Sequence, residues 1–235
     1  MRKLVVANYK MNGNKQFYVA AQKKINKLIL KDTKIVLCPP FVYLPFFKIK
    51  NKMVSLGCQD ISNEISKKAT GQVSPTMLKE FNVEYSIIGH SERRANNETD
   101  ELISQKVKTA VENSIQPIIC VGEESKNSKL EVLENQVKTG LGKINNNSTI
   151  IFAYEPVWAI GSGEIPTVAR VNKAINLIKK VGKLLGFELL VLYGGSVNLQ
   201  NYKELLSSKA DGFLLGGISL KVDEFCELAK GVDNE

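Results

Sequence analysis

The 235-residue chain contains a single histidine, His90, and four cysteines, Cys38, Cys58, Cys120 and Cys226, none of them in a CxxC pair. A Cys/His zinc site needs several ligands at short spacings, and this inventory does not supply them. Three of the cysteines fall in apolar strand-like runs, so reduced and mostly buried thiols are expected. Arginine is scarce as well: of 32 basic residues, only Arg2, Arg93, Arg94 and Arg170 carry a guanidinium. Base-reading proteins lean on arginine, and the lysines are scattered along the chain. The net charge of +8 therefore reads as a solvated lysine surface that also favours small anionic substrates, and no nucleic-acid partner is expected. No apolar run approaches the ~18 residues of a membrane-spanning helix, so no membrane partner is expected. The basic start at Met1-Arg2-Lys3 is followed by an apolar stretch too short for a signal-peptide core, broken at Asn8. The expected location is cytoplasmic. There is no linker and no low-complexity segment.

What the chain does have is repetition of a structural kind. Its 43% hydrophobic content is enough for one sizeable core. Eight short apolar runs recur, at Leu4–Asn8, Ile35–Cys38, Val54–Cys58, Tyr85–Ile88, Pro117–Val121, Thr149–Tyr154, Glu188–Tyr193 and Gly212–Leu215. Their starts lie roughly 20 to 40 residues apart. Helical patterns fall between them, among them Phe17–Leu30, Glu98–Asn113, Leu130–Leu141, Thr167–Leu185 and Leu199–Ser207. Strand, loop and helix repeated eight times imply a parallel sheet with right-handed crossovers. Eight such units can close on themselves, and ~250 residues is typical of that architecture. The expected fold class is α/β, a single (β/α)8 barrel spanning residues 1–235 as one catalytic domain.

In such folds chemistry gathers where strands end. The sixth run ends in Glu155, and Pro156 after it cannot donate to a ladder, so the strand stops there. The residues from Trp158 to Gly163 read either as a cap with a turn or as a flap with an apolar anchor and glycine joints, able to close over a ligand. Local pattern alone does not separate the two. The first run ends Asn8-Tyr9-Lys10-Met11-Asn12-Gly13, where Lys10 is either a surface lysine or a charge aimed at the barrel top. The fourth ends Gly89-His90-Ser91-Glu92. A lone histidine is often structural, yet His90 stands at the same mouth as Glu155. Ser91 and Glu92 can open a short helix whose positive end disfavours imidazolium, and a neutral ring still donates an N–H. Cys120 reads as a packed thiol with nothing basic beside it in sequence. Glu123 is left undecided between fixing the active face and facing water. Gly194-Gly195-Ser196 and Gly216-Gly217 follow the last two runs, and paired glycine turns there can turn backbone N–H groups toward an anion.

The motifs Asn8-Tyr9-Lys10-Met11-Asn12, Gly89-His90-Ser91-Glu92-Arg93-Arg94, Ala153-Tyr154-Glu155-Pro156-Val157-Trp158-Ala159-Ile160-Gly161, Tyr193-Gly194-Gly195-Ser196-Val197 and Leu215-Gly216-Gly217 together resemble the triosephosphate isomerase family. The resemblance covers essentially the whole chain. It implies a TIM barrel that interconverts dihydroxyacetone phosphate and D-glyceraldehyde 3-phosphate in glycolysis and gluconeogenesis, through an enediolate and with no metal or cofactor. It implies Glu155 as the base, neutral His90 as the electrophile and proton shuttle, and Lys10 as the positive charge beside the oxyanion. Asn8, Gly161, Ser196, Gly216 and Gly217 are implied to hold substrate, Glu92 to partner Lys10, and Pro156 to Gly163 to form a mobile lid. A homodimer is implied too.

Several positions depart from the family pattern. Tyr9 stands where the family usually has Trp, a change expected to affect packing only. In the third loop, Lys67 to Pro75, Ala69 and Gln72 replace the common Phe and Glu, while Thr70 and Gly71 are kept; that loop inserts into a neighbouring subunit in the family. Ser162 and Glu164 alter the lid, and Glu123–Gln136 is short for the family. Two other readings compete with the isomerase: a barrel enzyme acting on a different phosphorylated metabolite, since fold alone does not fix function, and an idle barrel binding nucleic acid or an anionic surface through its lysines. The intact His90/Glu155 pair counts against both.

Overall fold

A computed structural model describes residues 3–63, 68–145 and 149–235. Its strands are β1 (Leu4–Asn8), β2 (Lys34–Cys38), β3 (Val54–Cys58), β4 (Val83–Ile88), β5 (Gln116–Val121), β6 (Ile150–Tyr154), β7 (Leu189–Tyr193) and β8 (Gly212–Leu215). They pair in sequence order and β8 closes on β1, all parallel. The helices are α1 (Lys15–Ile25), α2 (Pro75–Glu80), α3 (Ser91–Ala95), α4 (Asp100–Glu112), α5 (Glu131–Leu141), α6 (Val168–Leu184), α7 (Tyr202–Leu206) and α8 (Val222–Asp233). The expected (β/α)8 barrel is the fold observed.

The period of two along each strand divides the core in two. Leu4, Val6, Val36, Cys38, Ile87, Ile118, Cys120, Ile151, Ala153, Leu192 and Leu214 pack together with no helix residue among them, and so fill the barrel interior. Their neighbours Val5, Ala7, Ile35, Leu37, Ile88, Ile119 and Phe152 face outward and pack with helix residues such as Ile103, Val107, Leu133, Val137 and Val171. Both faces being buried explains why the strands read as continuous apolar runs. The seam between β1 and β8 requires Gly212: its φ is +145°, and a Cβ there would lie 1.9 Å from the Leu4 carbonyl oxygen.

Helix starts follow from caps. Asn14, Ser74, Thr99 and Thr167 each precede a helix and accept the backbone N–H three residues on. The expected units shift by one or two residues at several ends, and differ more at two helix boundaries and in one connection. The Phe17–Leu30 pattern stops being helical at Ile25, and the next residue, Asn26, turns its side chain to Lys48 O (2.9 Å) and Lys50 N (2.9 Å). The Leu199–Ser207 pattern yields helix only from Tyr202, since Asn198 Oδ1 accepts from Gln200 N and Asn201 N in an Asx turn. After β2 the crossover is a 3₁₀ turn, Phe41–Phe46, containing Pro45. Cys38, Cys58 and Cys120 are buried free thiols and Cys226 is half-buried and free. Among the described residues no helix is long and apolar enough to cross a membrane.

The C-terminal helix is fastened by a carboxylate. Asp233 accepts the N–H groups of Lys31 (2.8 Å), Asp32 (2.9 Å) and Thr33 (2.7 Å) in the turn before β2. Burial works to raise its pKa, yet the backbone N–H bonds outweigh burial and hold it below the ordinary aspartate value. The folded value being the lower one, this contribution is present above the unfolded pKa and disappears as pH falls through the folded one. Asp233→Ala is expected to lower Tm at pH 7 by roughly 2–4 °C, about 1 kcal/mol at this chain length. Urea midpoints of variant and wild type measured from pH 7 down to pH 3 should converge; a constant gap would mean the charge is not what matters.

Candidate active site

Glu155 sits one residue past the end of β6, and its backbone N–H still donates to Val121 O (2.7 Å), extending the ladder toward β5. Two glycines make room for it. A Cβ on Gly122 would lie 1.7 Å from the Glu155 carbonyl oxygen, and one on Gly194 would lie 2.9 Å from its Cγ. The carboxylate is 4% exposed. Its Oε2 accepts from the Ser91 backbone N–H at 3.1 Å, and Oε1 stands 3.3 Å from His90 Nε2.

His90 is the cap residue of α3, and its Nδ1 accepts the Glu92 backbone N–H at 3.2 Å. With Nδ1 accepting, Nε2 is the ring nitrogen left to donate, and it is the one that faces Glu155. The turn that delivers it depends on Gly89, whose φ is +71° and whose absent Cβ would meet Ile103 at 2.7 Å. Arg94 braces the same turn. Its Nε donates to Gly89 O (2.9 Å), Nη2 to Cys120 O (3.0 Å) and Nη1 to Asp100 (2.6 Å), joining the ends of β4 and β5 to α4. Burial raises the thiol pKa of Cys120 well above the usual value, so it remains a packed thiol.

Lys10 follows β1 in the left-handed region, φ 50°, a conformation that costs a non-glycine residue about 1 kcal/mol or more. Side chains hold it there. Its N–H donates to Asn8 Oδ1 (3.0 Å), and its carbonyl accepts from Gln59 Nε2 (2.9 Å), which also donates to Cys38 O (2.8 Å). The ammonium pairs with Glu92 Oε1 at 2.7 Å.

Asn8, Lys10, His90, Glu155, Gly161, Ser196, Gly216 and Gly217 all line one cavity of about 300 Å³ at the carboxyl ends of the strands. Glu92 touches the site through Lys10 and His90 and does not line the cavity. Gly217 and Gly161 differ from Gly122 in kind: a Cβ on either would meet no atom within 4 Å. At Gly217 packing therefore does not require glycine.

The family model for triosephosphate isomerase matches residues 3–232. A triosephosphate isomerase of Dehalococcoides mccartyi strain CBDB1 is 40% identical over 98% of this chain and 96% of its own length. One from Clostridium botulinum strain ATCC 19397 is 38% identical over 97% and 99%, and one from Psychromonas ingrahamii is 35% identical over 97% and 98%. The chain belongs to the triosephosphate isomerase family.

The segment after Glu155 is a 3₁₀ turn, Val157–Ala159, leading into a loop in which Gly161 and Gly163 take φ of +69° and +78°. The question left open for Glu123 is answered here. Its carboxylate is fully buried; Oε1 accepts from Tyr154 Oη (2.9 Å), Trp158 Nε1 (3.1 Å) and Arg170 Nη2 (2.7 Å), and its carbonyl accepts from Val157 N (3.0 Å). At the far end Ser162 Oγ accepts from Glu164 N (3.1 Å) and Glu164 pairs with Lys126 (3.0 Å). Ser196 Oγ donates to Ala159 O (3.1 Å), tying the seventh loop to the turn. Tyr9 is buried, edge-on to Tyr18 at 5.2 Å. In the third loop Gln72 N bonds Ala69 O (3.1 Å); Lys67 lies outside the described residues.

Arg94, Gln59 and Gly122 contribute to the site without having been assigned a role from sequence. A polar residue one place past a strand end, as Gln59 is past β3, was a readable signal; the reach of Arg94 across two strands was not. The contrast between the glycines is testable. Gly122→Ala should cost at least about 3 kcal/mol, because the new methyl collides with backbone. Gly217→Ala should leave stability within about 0.5 kcal/mol. Thermal denaturation of both variants decides, and equal melting temperatures would erase the distinction.

Proposed function

We propose that this cavity interconverts dihydroxyacetone phosphate and D-glyceraldehyde 3-phosphate, and the observation carrying the proposal is the convergence of Glu155, the Nε2–H of His90 and the Lys10 ammonium on one glycine-walled space. The reaction is an intramolecular aldose–ketose isomerisation. Glu155 takes the proton from the carbon beside the carbonyl, and the released electron pair moves onto the carbonyl oxygen. His90 donates to that oxygen from Nε2 and shuttles the proton between the two oxygens of the enediolate; Lys10 adds positive charge beside them. Glu155 then returns its proton to the neighbouring carbon. The sequence is redox-neutral and asks for a base and an oxyanion stabiliser only, so no cofactor is assigned.

Ser91 N–H holds the Glu155 carboxylate in the described geometry, so the side chain leaves that donor to reach carbon. Glu92 orients Lys10 through their 2.7 Å contact. Asn8, Gly161, Ser196, Gly216 and Gly217 bind substrate, with glycine N–H groups on the phosphate. Lid closure excludes water, which protects an enediolate that would otherwise lose phosphate. Residues 1–235 are assigned as one catalytic domain, cytoplasmic, acting in glycolysis. A homodimer is proposed, with the loop carrying Thr70 and Gly71 entering the neighbour. Met11, one residue from Lys10, exposes 95% of its surface, which supports a second chain covering this part of the rim.

Glu155→Asp retracts the carboxylate by one methylene and is expected to lower kcat by about 10²-fold with KM changed only a few-fold. A coupled isomerase assay measures it, and a wild-type kcat would remove Glu155 as base. Inorganic phosphate and sulfate should inhibit competitively. Purely non-competitive inhibition would move the anion site away from Gly216 and Gly217.

A further inference from the structure

Both ends of the lid meet at one oxygen atom. From the near end come the Trp158 indole N–H (3.1 Å) and the Tyr154 hydroxyl (2.9 Å), both on Glu123 Oε1. From the far end comes Arg170, on the first turn of α6, whose Nε (3.2 Å) and Nη2 (2.7 Å) reach the same oxygen. The backbone N–H of Arg170 is itself capped by Thr167 Oγ1 at 3.3 Å, which fixes the start of α6 from which the side chain reaches Glu123. Its Cζ also lies 5.6 Å from the centre of the Trp158 ring, within cation–π range.

The charge balance makes Arg170 the decisive member. Glu123 is 0% exposed, and Oε2 is buried with no hydrogen-bond partner among the described residues. A hydroxyl and an indole can orient a carboxylate but carry no positive charge. A buried carboxylate stripped of its counter-ion is strongly unfavourable, and the ion pair that Glu123 makes is with Arg170. The interaction also raises the Arg170 pKa, chiefly through the Glu123 hydrogen bond. The Lys126–Glu164 pair across the same loop has both partners more than half exposed, so salt screens it and it contributes little.

We propose that Arg170 is a positioning residue for the isomerisation: by neutralising Glu123 it pins the two hinges of the lid to one buried carboxylate, and so sets how completely the lid seals the enediolate. The inference rests on the isomerase reading above. Its chemical consequence is specific. In a poorly sealed site the enediolate expels phosphate: the C–O bond breaks, its electron pair leaves with the phosphate, and the remaining enol becomes 2-oxopropanal. Isomerisation and phosphate release therefore compete, and their ratio reports sealing, which a loss of stability alone does not change.

Trp158 is the chain's single tryptophan, so intrinsic fluorescence reads this hinge without interference. Arg170→Gln is expected to lower kcat about tenfold or more, to raise phosphate released per isomerisation several-fold, and to shift Trp158 emission before any ligand is added. Arg170→Lys, which keeps the charge with one donor group, should recover part of each loss. Wild-type kcat, phosphate partition and emission in a folded Arg170→Gln protein would overturn the proposal. Should that variant fail to fold, Glu123→Gln/Arg170→Met leaves no buried charge and no side-chain bond from α6 to position 123, and wild-type kcat, phosphate partition and emission in that double variant would overturn the proposal equally. Absence of isomerase activity in the wild type, by contrast, refutes the functional reading and not the hinge, since the emission shift in Arg170→Gln needs no turnover.

Discussion

Eight strands running the same way around a closed ring have their carboxyl ends on a single rim, and everything else in this molecule depends on that. Lys10, His90, Glu155, Ser196 and Gly217 are distant in sequence and come from five different strand ends, yet a parallel ring places them around one opening. The interior behind them is packed with Leu, Val and Ile, so the opening has a floor. Nothing in an individual strand encodes this. It follows from hydrogen-bond direction, closure and a right-handed crossover repeated around the ring.

A rim of loops is mobile by default, and the structure counters that with short polar ties. Arg94 joins the ends of β4 and β5; Gln59 links the ends of β1 and β2; Glu123 joins Trp158, just past β6, to Arg170 on α6. A further tie lies beneath α3, where Lys106 and Arg93 both reach Asp60 at 2.7 Å. Each brings a charged or amide side chain to groups that burial would otherwise leave unsatisfied. The side chains proposed to do the chemistry make few such bonds of their own. Glu155 rests on a single backbone N–H, which suits a group that must move.

Much of this was legible beforehand, for identifiable reasons. The runs at Leu4–Asn8, Val54–Cys58 and Gly212–Leu215 coincide with β1, β3 and β8, because strands buried on both faces are uniformly apolar and end abruptly at glycine or polar residues. Helix ends were less legible. α1 stops at Ile25, where Asn26 turns its side chain to the 48–50 segment, and the apolar periodicity continues past it without registering the loss. The Glu155 carboxylate and the His90 imidazole were readable as strand-end groups, and their pairing came from motifs spread over the whole chain.

The sequence by itself determined which residues are buried strands, where each strand stops and which reactive groups stand at the stops, because alternation, proline and glycine act over a few residues. Only the tertiary structure decided what those groups meet. Glu123 was ambiguous until Trp158 and Arg170, 35 and 47 residues further along, were seen on the same oxygen. Asp233 binds backbone roughly 200 residues away. Whether a carboxylate is solvated or buried and paired depends on its neighbours in space, and a closed ring chooses those neighbours without regard to distance along the chain.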